Sequence, residues 1–283
     1  MTAQPTFLLG VGAMKAGTTW LYDHLASSEQ VVTGYRKEHH VLDVVDLPSE
    51  AWMRARIAQR AQRAARRLSE GEVPDAAALH QAAMVADVAL YPDYFAGLLS
   101  GGARLALDIT PSYALLGRER LEWVRTRFAE RGIRAVTVFL MRDPVDRIWS
   151  HIRMVQGRSP EKFPRTSEEH VLELFDHPTY ECRTRYEHTL AAVTGAFPDD
   201  ARYLGFHETL FTGDSVAAIS RLCGIDAVPA AFDVRANQSP SASALTESTS
   251  RRVARHFAGT YEAVARACPD VDLDSLWPSA RLL

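Results

Sequence analysis

The stretch Lys15-Ala16-Gly17-Thr18-Thr19-Trp20 constrains the fold of this 283-residue chain more than any other. The apolar run Phe7-Leu8-Leu9-Gly10-Val11-Gly12 precedes it and reads as a short buried strand. Beyond it, Leu21, Leu25 and the small Ala26 recur at helical spacing, so the stretch marks where a strand becomes a helix. Glycine in such a turn lets backbone approach a ligand closely. The helix start adds unpaired N–H groups and the positive end of a dipole. Lys15 and the hydroxyls of Thr18 and Thr19 complete an anion cradle, which predicts phosphate binding.

A chain of this length with 47% apolar residues can bury one good-sized core, which predicts a single α/β domain over 1–283. The net charge of −3 leaves no electrostatic footprint for nucleic acid. No apolar run is long enough to span a bilayer, and no basic region followed by a cleavable apolar segment opens the chain. Cys182, Cys223 and Cys268 are odd in number and lack metal-ligand spacing, so the expected setting is the reduced cytoplasm. Of 32 basic residues only Lys15, Lys37 and Lys162 are lysine, and two of these stand beside candidate chemistry.

After the strand Val31-Val32-Thr33 comes Arg36-Lys37-Glu38-His39-His40-Val41-Leu42-Asp43. Acid, base and two imidazoles are packed into a loop on the side of the sheet where α/β sites lie. A helix over about 50–69 and a second over 76–86 form a helical insertion at about 50–90. Met53, Ile57, Ala61, Ala64 and Leu68 line one face of the first, with Arg54, Arg56, Arg60, Arg63, Arg66 and Arg67 on the others. That arginine face either is merely solvated or forms a lid that draws in an acidic acceptor. A buried strand at 104–109 runs into Thr110-Pro111-Ser112-Tyr113, and one reading gives Asp108 a magnesium-holding role. The most hydrophobic strand, 135–141, ends in Arg142-Asp143-Pro144-Val145-Asp146-Arg147-Ile148-Trp149-Ser150. Asp143 is a good helix N-cap and Pro144 suits the first helical position. Ser150, two turns on, lies on the side of the helix start, so Arg142 and Ser150 can converge on one phosphate. A polar loop at 157–166, a helix at 186–197, a strand at 203–206, a Ser/Pro/Ala loop at 237–243 and a closing helix at 247–268 complete the reading.

In a nucleotide triphosphatase loop the lysine follows the last glycine. Here it precedes it, and Lys-Ala-Gly-Thr-Thr resembles the 5′-phosphosulfate loop of sulfotransferases that use 3′-phosphoadenosine-5′-phosphosulfate (PAPS). The segment at 38–43 resembles the Glu-x-His-x-x-Asp stretch of heparan-sulfate-type and bacterial members, with Val41-Leu42 replacing the usual aromatic pair. Arg-Asp-Pro-x-x-Arg-x-x-Ser at 142–150 resembles their 3′-phosphate signature. Thr110-Pro111-Ser112-Tyr113 resembles a segment bordering their acceptor site, though Ile109 stands where many carry lysine. His207-Glu208-Thr209-Leu210-Phe211 also has a counterpart in relatives.

The resemblance implies a P-loop-type three-layer fold with a central parallel sheet flanked by helices. It gives PAPS as co-substrate, 3′-phosphoadenosine-5′-phosphate (PAP) as product, and no metal. Lys15 would contact the phosphosulfate, the amides of Ala16, Gly17, Thr18 and Thr19 the 5′-phosphate, Trp20 the adenine, and Arg142 and Ser150 the 3′-phosphate. Arg235 is the one candidate for a further 3′-phosphate contact. Glu38 would be the catalytic base toward a small-molecule or carbohydrate acceptor. His40 and Asp43 would orient it and move its pKa toward working pH. A P-loop kinase and a non-catalytic nucleotide-binding module are the other classes considered; the position of Lys15 and the retention of Glu38 argue against them.

Overall fold

The computed structural model describes residues 4–158, 168–229 and 245–283. Strands β1 (Thr6–Gly12), β2 (Val31–Thr33), β3 (Leu105–Ile109), β4 (Arg134–Met141) and β5 (Arg202–Phe206) form one sheet in the order β2-β3-β1-β4-β5. Every pairing is parallel. β1 and β3 are buried along their whole length and β4 beyond its first residue. Parallel strands covered on both faces read as continuous apolar runs, which is why these three show no polar alternation in the sequence.

Helix α1 (Thr18–Ala26) follows β1. Four helices join β2 to β3: α2 (Leu42–Asp46), α3 (Ala51–Ser69), α4 (Ala76–Ala86) and α5 (Leu90–Leu99). α6 (Arg118–Ala129) joins β3 to β4. α7 (Pro144–Arg158), α8 (Glu168–Leu174), α9 (Pro178–Glu181) and α10 (Tyr186–Ala196) lie between β4 and β5. After β5 come α11 (His207–Leu210), α12 (Gly213–Cys223), α13 (Glu247–His256), α14 (Ala258–Ala267) and α15 (Leu273–Leu276). Among the described residues no helix is long and apolar enough to cross a membrane. An aromatic knot ties the sheet to its helical cover: Phe7 of β1 stacks on Phe128 of α6 at 4.0 Å and meets Phe95 of α5 at 4.7 Å.

Three expectations change. The closing helix is two, parted at the buried Phe257, whose backbone leaves helical geometry so that Val253 on one side and Tyr261 on the other both reach the core. The apolar stripe of α3 ends early: Ile57 and Ala64 are buried, but Leu68 is 58% exposed because the helix runs past its support. Residues 157 and 158 of the polar loop expected at 157–166 belong instead to α7; the rest of that stretch, with Lys162, lies outside the described residues.

An all-parallel sheet gathers the carboxyl ends of its strands along one edge, and the loops after β1, β2, β3, β4 and β5 all open there. A buried carboxylate organises the middle of that edge. Asp108, fully buried at the end of β3, accepts hydrogen bonds from Tyr91 Oη at 2.8 Å, Tyr113 Oη at 2.9 Å and Thr110 Oγ1 at 2.6 Å. His39 N lies 3.4 Å from its Oδ1 and donates to Thr110 Oγ1 at 2.9 Å. Val41 N donates to Tyr113 Oη at 3.2 Å. The carboxylate is thus committed to protein donors and sealed from solvent, which removes the magnesium-holding role. Replacing Asp108 by Ala strands these buried donors, so urea unfolding should show a loss of about 3–5 kcal/mol, the range for breaking a buried charged network.

Candidate active site

The first loop turns on two glycines. β1 slips register against β4 between Gly10 and Gly12, and a Cβ on Gly12 (φ 132°) would stand 3.1 Å from Pro111 O and 3.2 Å from Ala114 Cβ. Gly17 has φ 95° and begins α1 without a side-chain cap; a Cβ there would fall 2.5 Å from Leu210 Cδ2. Only glycine combines that left-handed backbone with so close a neighbour, so the β5 loop packs directly on the first loop. Lys15 is left-handed too, at φ 71°. Thr18 and Trp20 are buried, while Lys15 and Thr19 are partly exposed. The Trp20 ring stacks on His24 at 5.0 Å and meets Phe211 edge-on at 5.0 Å.

Cations crowd this loop. Burial lowers the Lys15 pKa first, and the charges of Arg142, Arg158 and Arg153 lower it further. Arg142 Nη1 donates to Lys15 O at 3.2 Å, whereas Arg142 Nε is buried with no partner. Asp146, 3.9 Å from Arg142 and itself exposed, is the carboxylate paired with it. His151 is pushed down to about 3 by burial and then by Arg147, Arg183, Lys15 and Arg158. Positive charge gathered this closely at one loop fits an anionic guest.

The 142–150 segment sits as its caps predict. Asp143 Oδ1 accepts from Val145 N at 2.9 Å to start α7. The same carboxylate accepts from Ser279 N at 3.2 Å and Ser279 Oγ at 2.5 Å, a C-terminal lock that no local signal shows. Glu208 Oε1 accepts from Asp143 N and Oε2 from Trp277 Nε1, at 3.2 and 3.1 Å, so the 207–211 segment braces the same turn. Arg147 is structural: fully buried, it donates to Thr184 Oγ1 and Tyr180 O. Ser150 is buried on α7. Arg235 and the 237–243 loop lie outside the described residues.

On the neighbouring loop Glu38, His40 and Asp43 form one chain. His40 Nδ1 is 2.6 Å from Asp43 Oδ2, and His40 Nε2 is 3.4 Å from Glu38 Oε2. Lys37 Nζ donates to Glu38 Oε1 at 2.9 Å. The side chains grade outward from Asp43 (0% exposed) through His40 (14%) to Glu38 (39%), so Glu38 is the reachable end. His39 points the other way, fully buried with Nδ1 3.4 Å from Asp108 Oδ1. Residues 110–113 border this loop from the interior, with Thr110, Ser112 and Tyr113 all buried.

The electrostatics correct one expectation. Burial by itself raises the Glu38 pKa, but hydrogen bonds and charge from His40 and Lys37 outweigh it and hold the carboxyl at about 2, away from working pH. Burial alone lowers His40, yet Asp43 and Glu38 on either side raise it to about 10. At neutral pH Glu38 is therefore an ionised carboxylate and His40 an imidazolium.

The fold is that of an α/β protein with a parallel sheet whose carboxyl edge carries both a glycine-turned, cation-lined loop and the loop of Glu38. The model of the sulfotransferase family matches residues 5–225, and the chain belongs to that family. Its fold is similar to that of a sulfotransferase from Alicyclobacillus acidocaldarius, with a TM-score of 0.59 at 16% identity over 94% of this chain and 96% of that one. Weaker likeness links it to the sulfotransferase domain of the Synechococcus PCC 7002 olefin synthase (TM-score 0.48, 19% identity, 78% and 74% covered). A sulfotransferase domain from the curacin biosynthetic pathway also matches (0.45, 14%, 78% and 75%). No curated protein matches the sequence.

The two shifts act in opposite directions on stability. Raised in the fold, His40 contributes fully below about pH 6.5, and the contribution is lost as pH rises through about 10. Lowered in the fold, Glu38 contributes above about pH 4.5, and that is lost as pH falls through about 2. Imidazole NMR signals of His40 should accordingly stay in the protonated form at pH 8, and Asp43→Asn should bring their midpoint down. A parent midpoint near 6.5 would show that the chain is not charged this way.

Proposed function

We propose that this protein transfers a sulfuryl group from PAPS to a hydroxyl or amine of a small-molecule or carbohydrate acceptor, with Glu38 as general base. The observation that carries this reading is one of placement. An ionised, reachable carboxylate and a loop with surplus cations open on the same sheet edge. The first loop fits PAPS because an orphaned buried Arg142 Nε and the crowding of Lys15 by Arg142 and Arg158 both call for an anion. PAPS supplies an activated sulfuryl group joined to a phosphate leaving group.

The chain's residues divide the work. The backbone of residues 16–19 and the start of α1 hold the 5′-phosphate. Arg142 and Ser150 take the 3′-phosphate, and Trp20 borders the adenine. Glu38 accepts the proton as the acceptor oxygen or nitrogen bonds to sulfur. The sulfur–oxygen bond to the phosphate breaks, and Lys15 meets the charge that grows on the leaving oxygen. His39 is sealed against Asp108 and His40 is already protonated, so neither competes with Glu38 as base. His40, anchored by Asp43, fixes one Glu38 oxygen and Lys37 the other. The carboxylate is positioned before substrate arrives and needs no deprotonation at neutral pH.

Two measurements test the reading. PAP should raise the melting temperature much more than 5′-AMP, because ligand that binds only the folded state stabilises by mass action. Equal shifts would remove the 3′-phosphate role of Arg142 and Ser150. Glu38→Gln keeps shape but accepts no proton, so turnover of PAPS with acceptor should fall about 10²–10⁴-fold with PAP affinity little changed. Near-parental turnover would sink Glu38 as base.

A further inference from the structure

The six arginines of α3 are not equivalent. Arg54 Nε donates to Val44 O at 2.8 Å and so closes the end of α2. Arg66 pairs with Glu70 at 2.8 Å and Arg67 with Glu72 at 2.9 Å, both exposed. Arg56, Arg60 and Arg63 are spaced i, i+4 and i+7 on one face of the helix, with Arg63 Nε donating to Gln59 O at 3.4 Å. Like charges at such spacing repel and weaken a bare helix.

A fourth cation joins them from outside the helix. Arg36 of the loop after β2 reaches Asp75, the N-cap of α4, at 4.0 Å, and its Nε is buried with no partner. Partial burial first, and then the charges of Arg36, Arg56 and Arg63, hold Arg60 below the usual arginine range. Asp75 is the carboxylate that opposes them. It is half exposed, and its Oδ1 is already engaged by Ala78 N at 3.1 Å. The cluster is therefore four guanidiniums against one partly committed acid.

Its position is set by the chain. Arg36 precedes Glu38 by two residues, with a bend at Lys37 between them, so their Cα atoms lie within about 7 Å. A guanidinium fork matches sulfate, phosphate or carboxylate in bidentate fashion.

We infer that Arg36, Arg56, Arg60 and Arg63 form an acceptor subsite for an oxyanion carried by the acceptor close to the group it presents to Glu38. This rests on the sulfotransfer reading above and narrows it: the acceptor is an anionic small molecule, and α3 selects it. The cluster holds the acceptor's own charge, while Lys15 and Arg142 hold the donor.

The test saturates the protein with PAP, so that the first loop is filled, and then titrates glucose 6-sulfate and glucose as a matched pair by calorimetry. Glucose 6-sulfate should bind at least about ten-fold more tightly, the scale of one charge-assisted contact, and the preference should shrink as salt rises. The variant R60A/R63A should abolish the preference. R66A/R67A, which removes the same charge from the same helix but spares the cluster, should keep it. Melting temperatures of both variants without sugar report whether they fold, and R36A repeats the test from outside the helix. Equal affinity for the two sugars in the parent, or equal loss in R60A/R63A and R66A/R67A, overturns the subsite. Failure of PAP to bind at all would instead overturn the sulfotransfer reading.

Discussion

The Asp108 carboxylate is the fixed point of the active edge. Burial works against its ionised form, but the charge of His39 and the donors Thr110 and Tyr91 reverse the balance and keep its pKa below the usual value. A buried charge is tolerable only when its partners are complete, so the network is assembled as a unit or not at all. What it assembles is the loop after β2. His39 N and Val41 N are held by Thr110 and Tyr113, and Gln81 Nε2 donates to His39 O at 2.6 Å from α4. With residues 39 and 41 gripped from the interior, Glu38 and His40 are left on the open side. Gly34 belongs to the same construction, since a Cβ there would lie 2.4 Å from His39 Nε2.

Two electrostatic designs meet along that edge. Lys37, Glu38, His40 and Asp43 alternate in sign and offset one another, so the Glu38 carboxylate is oriented without a ligand. Preorganised charge of this kind costs no reorganisation at the moment of reaction. The first loop is the opposite case: the charges of Arg142, Arg158 and Arg153 press on Lys15. β3, with its buried network, stands between the strands that carry the two loops.

Stiffness around the first loop comes from far along the chain. Leu210 fills the space beside Gly17, Glu208 accepts from Asp143 N, and Trp277, fully buried, donates to Glu208. Ser279 closes the set on Asp143 from 136 residues away. The C-terminal turn thus supports the Arg142 corner without being near it in sequence.

Much of this was legible in the residues alone, and for a local reason. A strand turning into a helix at Lys15–Trp20, the Asp143-Pro144 cap and the bounds of α4 are written in runs, caps and periodicity within a few positions. Because the sheet is parallel, placing each motif after a strand already placed it on the common edge. The break at Phe257, the charge state of Glu38 and His40, the commitment of Asp108 and the sorting of the α3 arginines were not legible. The commitment of Asp108 depends on groups from distant elements, since His39 meets it across 69 positions, and Arg36 reaches Asp75 at the start of α4; the charges of Glu38 and His40 come from neighbours only a few residues away but depend on the loop holding them in contact. Residue types and their spacing along the chain determined which chemistry this protein carries. Tertiary packing decided which carboxylate is sealed, which is exposed, and which acid Arg36 reaches, because burial and charge are properties of the three-dimensional neighbourhood.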